Sequence, residues 1–375
     1  MLLLLLGVAG LFRSTTAQAI EDSAPDAMNG WVEGKLQSMT LREKIGQMIM
    51  VDVRGTELTS HLAAHLKDGA YGNIILFDWN IQDTDQTHLF IQNLQDQAIV
   101  NHGVPLLVAV DQEGGPVDRL GHLLGMKGTR FSARTIGQIY EYDRGKAETA
   151  VGAFTQDLAR RMHALGINMN LAPVLDLTDD RTSYIYERSY GGDPNAVSRI
   201  ASQFSDVMRA NRIVTTGKHF PNLSMTRLDS HLSLPVLGRN RTQLAAYEMV
   251  PFAKLKDRLG AIMMGHMVVP DIDPKYPASI SYKVGRVLRR QVGWDGVVIS
   301  DDLKMKALTD RYTLTEIVIR AVFADVDILL MAWGPDKQRE ALAVLEQCVI
   351  RGKIPMSRVD ASVRRILELK RDFAR

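Results

Sequence analysis

Short apolar runs alternate with longer amphipathic stretches along almost the whole chain. Eight runs have the near-continuous apolar character of strands buried on both faces: Met48–Val53, Asn73–Phe77, Pro105–Val110, Asn168–Leu171, Ile213–Thr216, Ala261–Met264, Gly296–Ile299 and Asp327–Met331. Helical spacing dominates between them, over Leu58–Leu66, Gln86–Val100, Ala147–Leu165, Ala196–Ala210, Gln243–Leu255, Lys283–Val292, Leu314–Ala324 and Lys337–Ile350. A last amphipathic helix, Ser357–Phe373, is expected to pack on the outside. Strands that alternate with helices in this way predict an α/β fold with a parallel sheet closed into a (β/α)8 TIM-type barrel, a single domain over residues 31–375. A doubly wound open sheet is the alternative. No G-x-G-x-x-G follows a strand and no phosphate-binding G-x-x-x-x-G-K-[ST] occurs, so nothing supports a nucleotide site.

Composition changes this picture little. The 375 residues are 46% hydrophobic and 23% charged, with a formal net charge of +2, which gives no reason to expect nucleic acid or an anionic membrane as partner. Cys348 is the only cysteine, which excludes an intrachain disulfide and a cysteine-built metal cage. The N-terminus says more. An apolar run, Leu2–Phe12, ends in Ala17-Gln18-Ala19, the small-residue pattern of a signal-peptidase site, although no basic residue precedes the run. The run is too short to span a bilayer, which needs ~20 apolar residues. Residues 1–19 are therefore expected to be a signal peptide and 20–30 a linker, with a periplasmic or secreted product and no stable membrane insertion after processing.

Candidate chemistry concentrates where strands end, because functional groups of such barrels sit at the C-terminal mouth. Asp111 follows the run ending at Val110, Asp176 follows Leu175, Lys218 and His219 follow Gly217, His266 follows Gly265, and Asp301 with Asp302 follow Ser300. Each alone could be a helix cap or half of a buried ion pair. The stretch Lys218–Pro235 holds two histidines, a lysine and an aspartate, and with Pro221 and Pro235 it reads as a loop leaving a strand. Within it Asp229 and His231 stand two apart, so in extended backbone the carboxylate can hold one imidazole nitrogen. An incidental ion pair on a polar loop has the same pattern.

These segments, LREKIGQMIMV, VDQEGGPVDRL, LAPVLDL, ERSYGGDP, GKHFP, TRLDSHLSLP and GWDGVVISDDLKMKAL, resemble the family-3 glycoside hydrolases, in particular the single-domain β-N-acetylglucosaminidases of peptidoglycan recycling. The resemblance spans nearly the whole chain. It implies a retaining exo-glycosidase with Asp301 as nucleophile and His231, oriented by Asp229, as acid/base. It also implies that Asp111, Arg119, Arg188, Lys218 and His219 hold the terminal sugar, with no cofactor and no metal. A histidine in place of the second carboxyl departs from the usual two-carboxylate scheme. Its ordinary pKa of ~6.5 suits a group that first gives and then takes a proton. Asp302 is the competing nucleophile and is expected to cap a helix.

The chain departs from the family in two places. The Gly-His-Gly and polar residue that usually follow KHFP are replaced by Asn222-Leu223-Ser224-Met225, and the arginine usual after DQEGG is Pro116. Other readings of the same motifs are another exo-β-glycosidase, a glycoside phosphorylase, or a non-catalytic sugar-binding relative. A metal-dependent hydrolase would need His219, Asp229, His231 and His266 as ligands, without any H-x-H or H-E-x-x-H spacing to recommend it.

Overall fold

The computed structural model describes residues 30–123, 132–223 and 234–374. The eight predicted runs all contain strands: β1 (Ile49–Asp52), β2 (Asn73–Leu76), β3 (Leu107–Val110), β6 (Met169–Asn170), β7 (Val214–Phe220), β8 (Ala261–Met264), β9 (Val297–Ser300) and β10 (Leu329–Met331). The two remaining strands, β4 (Gln112–Gly114) and β5 (Val117–Asp118), form a separate hairpin. In the main sheet every pairing is parallel, in the order β10-β1-β2-β3-β6-β7-β8-β9. A parallel bridge between Ile299 and Ile328 joins the two ends, so the sheet closes into a (β/α)8 barrel. Its strands are buried throughout, which is why they read as unbroken apolar runs. The shortest, β6, is reinforced by side chains: Asn168 accepts from the Val108 amide at 2.7 Å and donates to the Leu106 carbonyl at 2.9 Å.

The helices begin where the sequence supplies caps. Thr40 and Glu43 form a reciprocal capping box, Asp83 caps Thr84–His102, and Asp193 caps Pro194–Ala210 with proline in the first turn. The stretch expected as one helix over Gln243–Leu255 is two, Arg241–Ala246 and Val250–Leu255. Pro251 explains the break, since in a continuous helix it would have no amide proton to give the Tyr247 carbonyl and its ring would clash with that carbonyl. The helix Tyr282–Val287 passes into a wider π turn over Leu288–Val292. The last helix, Met356–Phe373, lays Val359, Val363, Ile366 and Leu367 against the barrel exterior, as its spacing requires. No described helix is long and apolar enough to cross a membrane.

Candidate active site

A cavity of about 150 Å³ opens at the C-terminal mouth of the barrel. Ile75, Leu171, Met263 and Leu330 give it apolar walls, while Asp111, Glu113, Arg119, Arg188, Lys218 and His219 face Asp301 and Asp302 across it. A larger depression of about 440 Å³ lies at the opposite end, beside the residues that lead into β3 and β6, lined by Trp31, Ile99, Ile167 and Phe373 among others. Among the described residues no carboxylate borders that depression, whereas the smaller cavity gathers the strand-end carboxylates and is the candidate site.

The hairpin β4–β5 sets one wall. Its turn needs left-handed backbone at Gly114 (φ 82°) and Gly115 (φ 62°), and a Cβ on Gly115 would stand 2.7 Å from that of Ser132, so DQEGG is built for this turn. Pro116 is exposed at the tip, which places that departure from the family on the rim of the hairpin. Extended backbone sends Asp111 and Glu113 to one side and Gln112 to the other. Gln112 anchors the hairpin: its Nε2 donates to Asp118 at 2.7 Å, and its Oε1 accepts from the Leu120 amide at 2.9 Å. Asn170, at the end of β6, bonds both backbone groups of Gln112, at 3.1 and 3.0 Å.

On the cavity side lies a buried ion network. Arg188 donates from Nε and Nη2 to both oxygens of Glu113, each at 2.8 Å. Lys218 Nζ stands 2.7 Å from Glu113 Oε1 and donates to Asp111 Oδ1 at 2.6 Å. Burial alone would push the Glu113 carboxyl up, but Arg188 and then Lys218 outweigh it and hold it well below the usual carboxylate range. Burial likewise works against the charge on Lys218, yet Asp111 and Glu113 raise its pKa and keep it an ammonium. Arg188 stays charged for the same reason, through Glu113. Its loop is pinned by Ser189 Oγ, which donates to the Asp176 carbonyl at 2.7 Å, and by Arg134, which bonds Asp179 at 3.0 Å and stacks over Tyr186 at 4.0 Å.

Lys218 and His219 belong to β7, which runs on to Phe220, so the expected loop starts later than the sequence suggests. The rigid strand therefore carries both side chains. His219 Nδ1 lies 2.7 Å from Asp176 Oδ2, and Asp176 also accepts from the amides of His219 and Leu223 at 3.2 and 2.6 Å. The carboxylate thereby fixes the orientation of the ring through Nδ1. His266 is different. It is fully buried, with Nδ1 at 2.7 Å from Ser279 Oγ and Nε2 at 3.0 Å from the Asp302 carbonyl, and it braces the β9 loop instead of lining the cavity.

Asp301 stands at the end of β9, where its amide donates to the Met264 carbonyl at 2.9 Å and its Oδ1 accepts from the Asp302 amide at 2.8 Å. Burial pushes the neighbouring Asp302 carboxyl up to about 6, against the pull of Lys304. Asp302 does not cap a helix as expected. Met305 precedes the short helix Lys306–Thr309, and Asp302 Oδ1 instead accepts from the Lys304 and Ala332 amides at 3.2 and 3.3 Å, tying the β9 and β10 loops together. Arg119, just after β5, pairs with Asp78 at 3.3 Å and lies over Phe77 at 5.9 Å.

Six sequence candidates, Asp111, Arg119, Arg188, Lys218, His219 and Asp301, thus border one cavity. Asp229, His231, Ser224 and Met225 lie outside the described residues, as does the expected signal peptide over residues 1–19. Among the described residues, no group of three or more His, Cys, Asp or Glu side chains is placed to hold a metal ion. The residue missed from sequence is Glu113. Its only signal was the two-residue spacing from Asp111 in a turn-forming motif.

A family model, Glycosyl hydrolase family 3 N terminal domain, matches residues 40–369. The chain is 34% identical to Beta-hexosaminidase LpqI of Mycobacterium tuberculosis over 341 residues, covering 88% of this chain and 82% of the relative. It is also similar to the structure of a glycoside hydrolase family 3 beta-N-acetylglucosaminidase from Paenibacillus sp., with 32% identity and a TM-score of 0.83. That match covers 90% of this chain and 63% of the Paenibacillus one, so the chain spans less than two thirds of that protein's length. NagZ from Neisseria gonorrhoeae, solved in complex with N-trifluoroacetyl-D-glucosamine, matches with 33% identity and a TM-score of 0.71, over 79% of this chain and 84% of its own.

Proposed function

Because the chain belongs to glycosyl hydrolase family 3, the match covering residues 40–369, we propose that it is a retaining exo-glycosidase that removes terminal β-linked N-acetylglucosamine from the non-reducing end of its substrate. The observation that carries this reading is the position of Asp301. A carboxylate at the end of a rigid strand borders the same small cavity as the Asp111–Lys218–Glu113–Arg188 network. The cavity is smaller than the ~300–1,000 Å³ typical of sites for drug-sized ligands, which suits one terminal sugar better than a length of chain.

In this mechanism Asp301 attacks the anomeric carbon while His231 gives a proton to the departing oxygen. The covalent glycosyl-enzyme is then resolved by water, from which His231 takes the proton back. Asp229 stabilises the imidazolium. Asp111, Arg119, Arg188, Lys218 and His219 hold the ring so that its anomeric carbon faces Asp301. A phosphorolytic variant finds less support, since each arginine or lysine that borders the cavity among the described residues already faces a carboxylate. The leader over residues 1–19 points to cell-wall fragments outside the cytoplasm as the natural substrate.

The test is a panel of aryl β-glycosides that differ at C2 and C4, with the anomer of the first-formed product followed by NMR. Preference for the 2-acetamido substrate and a β-configured product are expected. Cleavage of glucosides in preference, or inverted product, would overturn the proposal.

A further inference from the structure

Glu113 touches both cations that border the floor of the cavity, yet no step of the mechanism uses it. We propose that Glu113 is a positioning and selectivity residue: it neutralises Arg188 and Lys218, so that these groups offer hydrogen bonds to the hydroxyls of an uncharged sugar and do not capture an anion. The inference rests on the reading of the cavity as the seat of the transferred sugar.

The donor inventory carries it. Arg188 gives Nε and Nη2 to the two oxygens of Glu113, a bidentate pairing that fixes the plane of the guanidinium and leaves Nη1 without a hydrogen bond among the described residues. Lys218 has three donors and two carboxylate neighbours, Asp111 and Glu113, so one N–H remains. Lys218 is buried and Arg188 partly so, with side chains 3% and 15% exposed, and the Glu113 side chain is 2% exposed. Remove the negative charge and Arg188 loses its carboxylate partner, while Lys218 keeps Asp111 alone. A buried excess of positive charge is costly, and a small anion entering the cavity would relieve that cost. The wild-type arrangement has no such excess. Arg119 has its own carboxylate in Asp78, and Asp301 and Asp302 add negative charge on the far wall.

A scaffold residue would make the same contacts, so the test must read charge selection and not activity alone. Initial rates on an aryl β-N-acetylglucosaminide are measured for the wild type, Glu113→Gln and Glu113→Asp, with and without inorganic phosphate at constant ionic strength. Glu113→Gln keeps the shape and one acceptor but not the charge. Its KM should rise by about 10- to 100-fold, the scale of a lost hydrogen bond to a charged group. Phosphate should inhibit it competitively and raise its Tm, while the wild type shows neither response. Glu113→Asp keeps the charge on a shorter arm, so its KM should rise while phosphate stays without effect. Phosphate inhibition of the wild type, or phosphate indifference in folded Glu113→Gln, would overturn the inference. Should Glu113→Gln not fold, Glu113→Asp and the wild type decide it, since competitive inhibition of either contradicts charge neutralisation. Should the wild type not cleave the glycoside, the functional reading fails separately, and the phosphate-dependent Tm still reports on selectivity.

Discussion

Two ion networks, one at each end of the barrel, show why only one of them is a candidate site. At the foot, Asp327 is fully buried and accepts from Arg289 at 2.9 Å, from Arg365 at 3.0 and 2.8 Å, from Ser362 at 2.6 Å and from the Val298 amide at 3.0 Å. The arginines there give their other donors to backbone carbonyls: Arg289 to Trp294 and Gly296, Arg358 to Val322 and Val326. Most donors are used on protein, Nη1 of Arg365 excepted among the described residues, and the result ties the last helix to the barrel. At the mouth the same residue types leave donors over, on Arg188 and Lys218, and those groups border a cavity that also holds Asp301. Buried charge is therefore not by itself a mark of function in this protein. Leftover hydrogen-bonding capacity facing a cavity that also holds a strand-end carboxylate is.

The account predicts that changes to the proposed chemistry alter kinetics and changes at the foot alter stability. The largest effect is expected for His231→Ala, which should lose a general-acid contribution of roughly 10²–10⁴-fold in kcat/KM on substrates with poor leaving groups. Readily departing phenolates should be far less affected, because kcat/KM reports the first irreversible step. A wild-type to mutant ratio that stays flat across a leaving-group series would make His231 a structural residue. Next comes Asp327→Ala, which takes the buried carboxylate from Arg289, Arg358 and Arg365 and should cost about 3–5 kcal/mol in urea denaturation. KM of the folded fraction should not move, and a changed KM would dissolve the division between the two ends.

The smallest effect concerns Lys370, also at the foot. It is fully buried without a carboxylate, donating to Gln47 Oε1 at 2.6 Å and the Gly72 carbonyl at 2.7 Å, and burial holds its pKa well below the ordinary lysine value. Between that lowered value and the unfolded one near ~10.4 the unfolded chain binds the extra proton, so stability rises with pH across this window. One such proton contributes at most ~1.4 kcal/mol per pH unit. Lys370→Met should flatten the dependence of the urea midpoint on pH, and an unchanged slope would show that Lys370 carries no burial penalty.

The barrel was readable from sequence because its strands are buried on both faces and so appear as apolar runs. The hairpin β4–β5 was not, since three residues and two glycines look like any turn until Asn170 and Gln112 are seen to anchor it. Asp111, Lys218 and Asp301 were legible as polar residues interrupting strand ends. Glu113 was hidden because its meaning lies in partners 75 and 105 positions away along the chain, Arg188 and Lys218, which only barrel closure brings together. Asp302 misled for the opposite reason. A local cap was the obvious use of an aspartate before a helix, and one of its two amide partners, that of Ala332, is on the next strand's loop.

The central claim is that the carboxylate at the end of β9 forms a bond to the sugar. It is tested most directly by trapping the enzyme with an activated 2-deoxy-2-fluoro-type glycoside and locating the label by mass spectrometry. The account predicts a covalent glycosyl group on Asp301. Label on Asp302, or an unlabelled enzyme that still turns the reagent over with inversion, would contradict it.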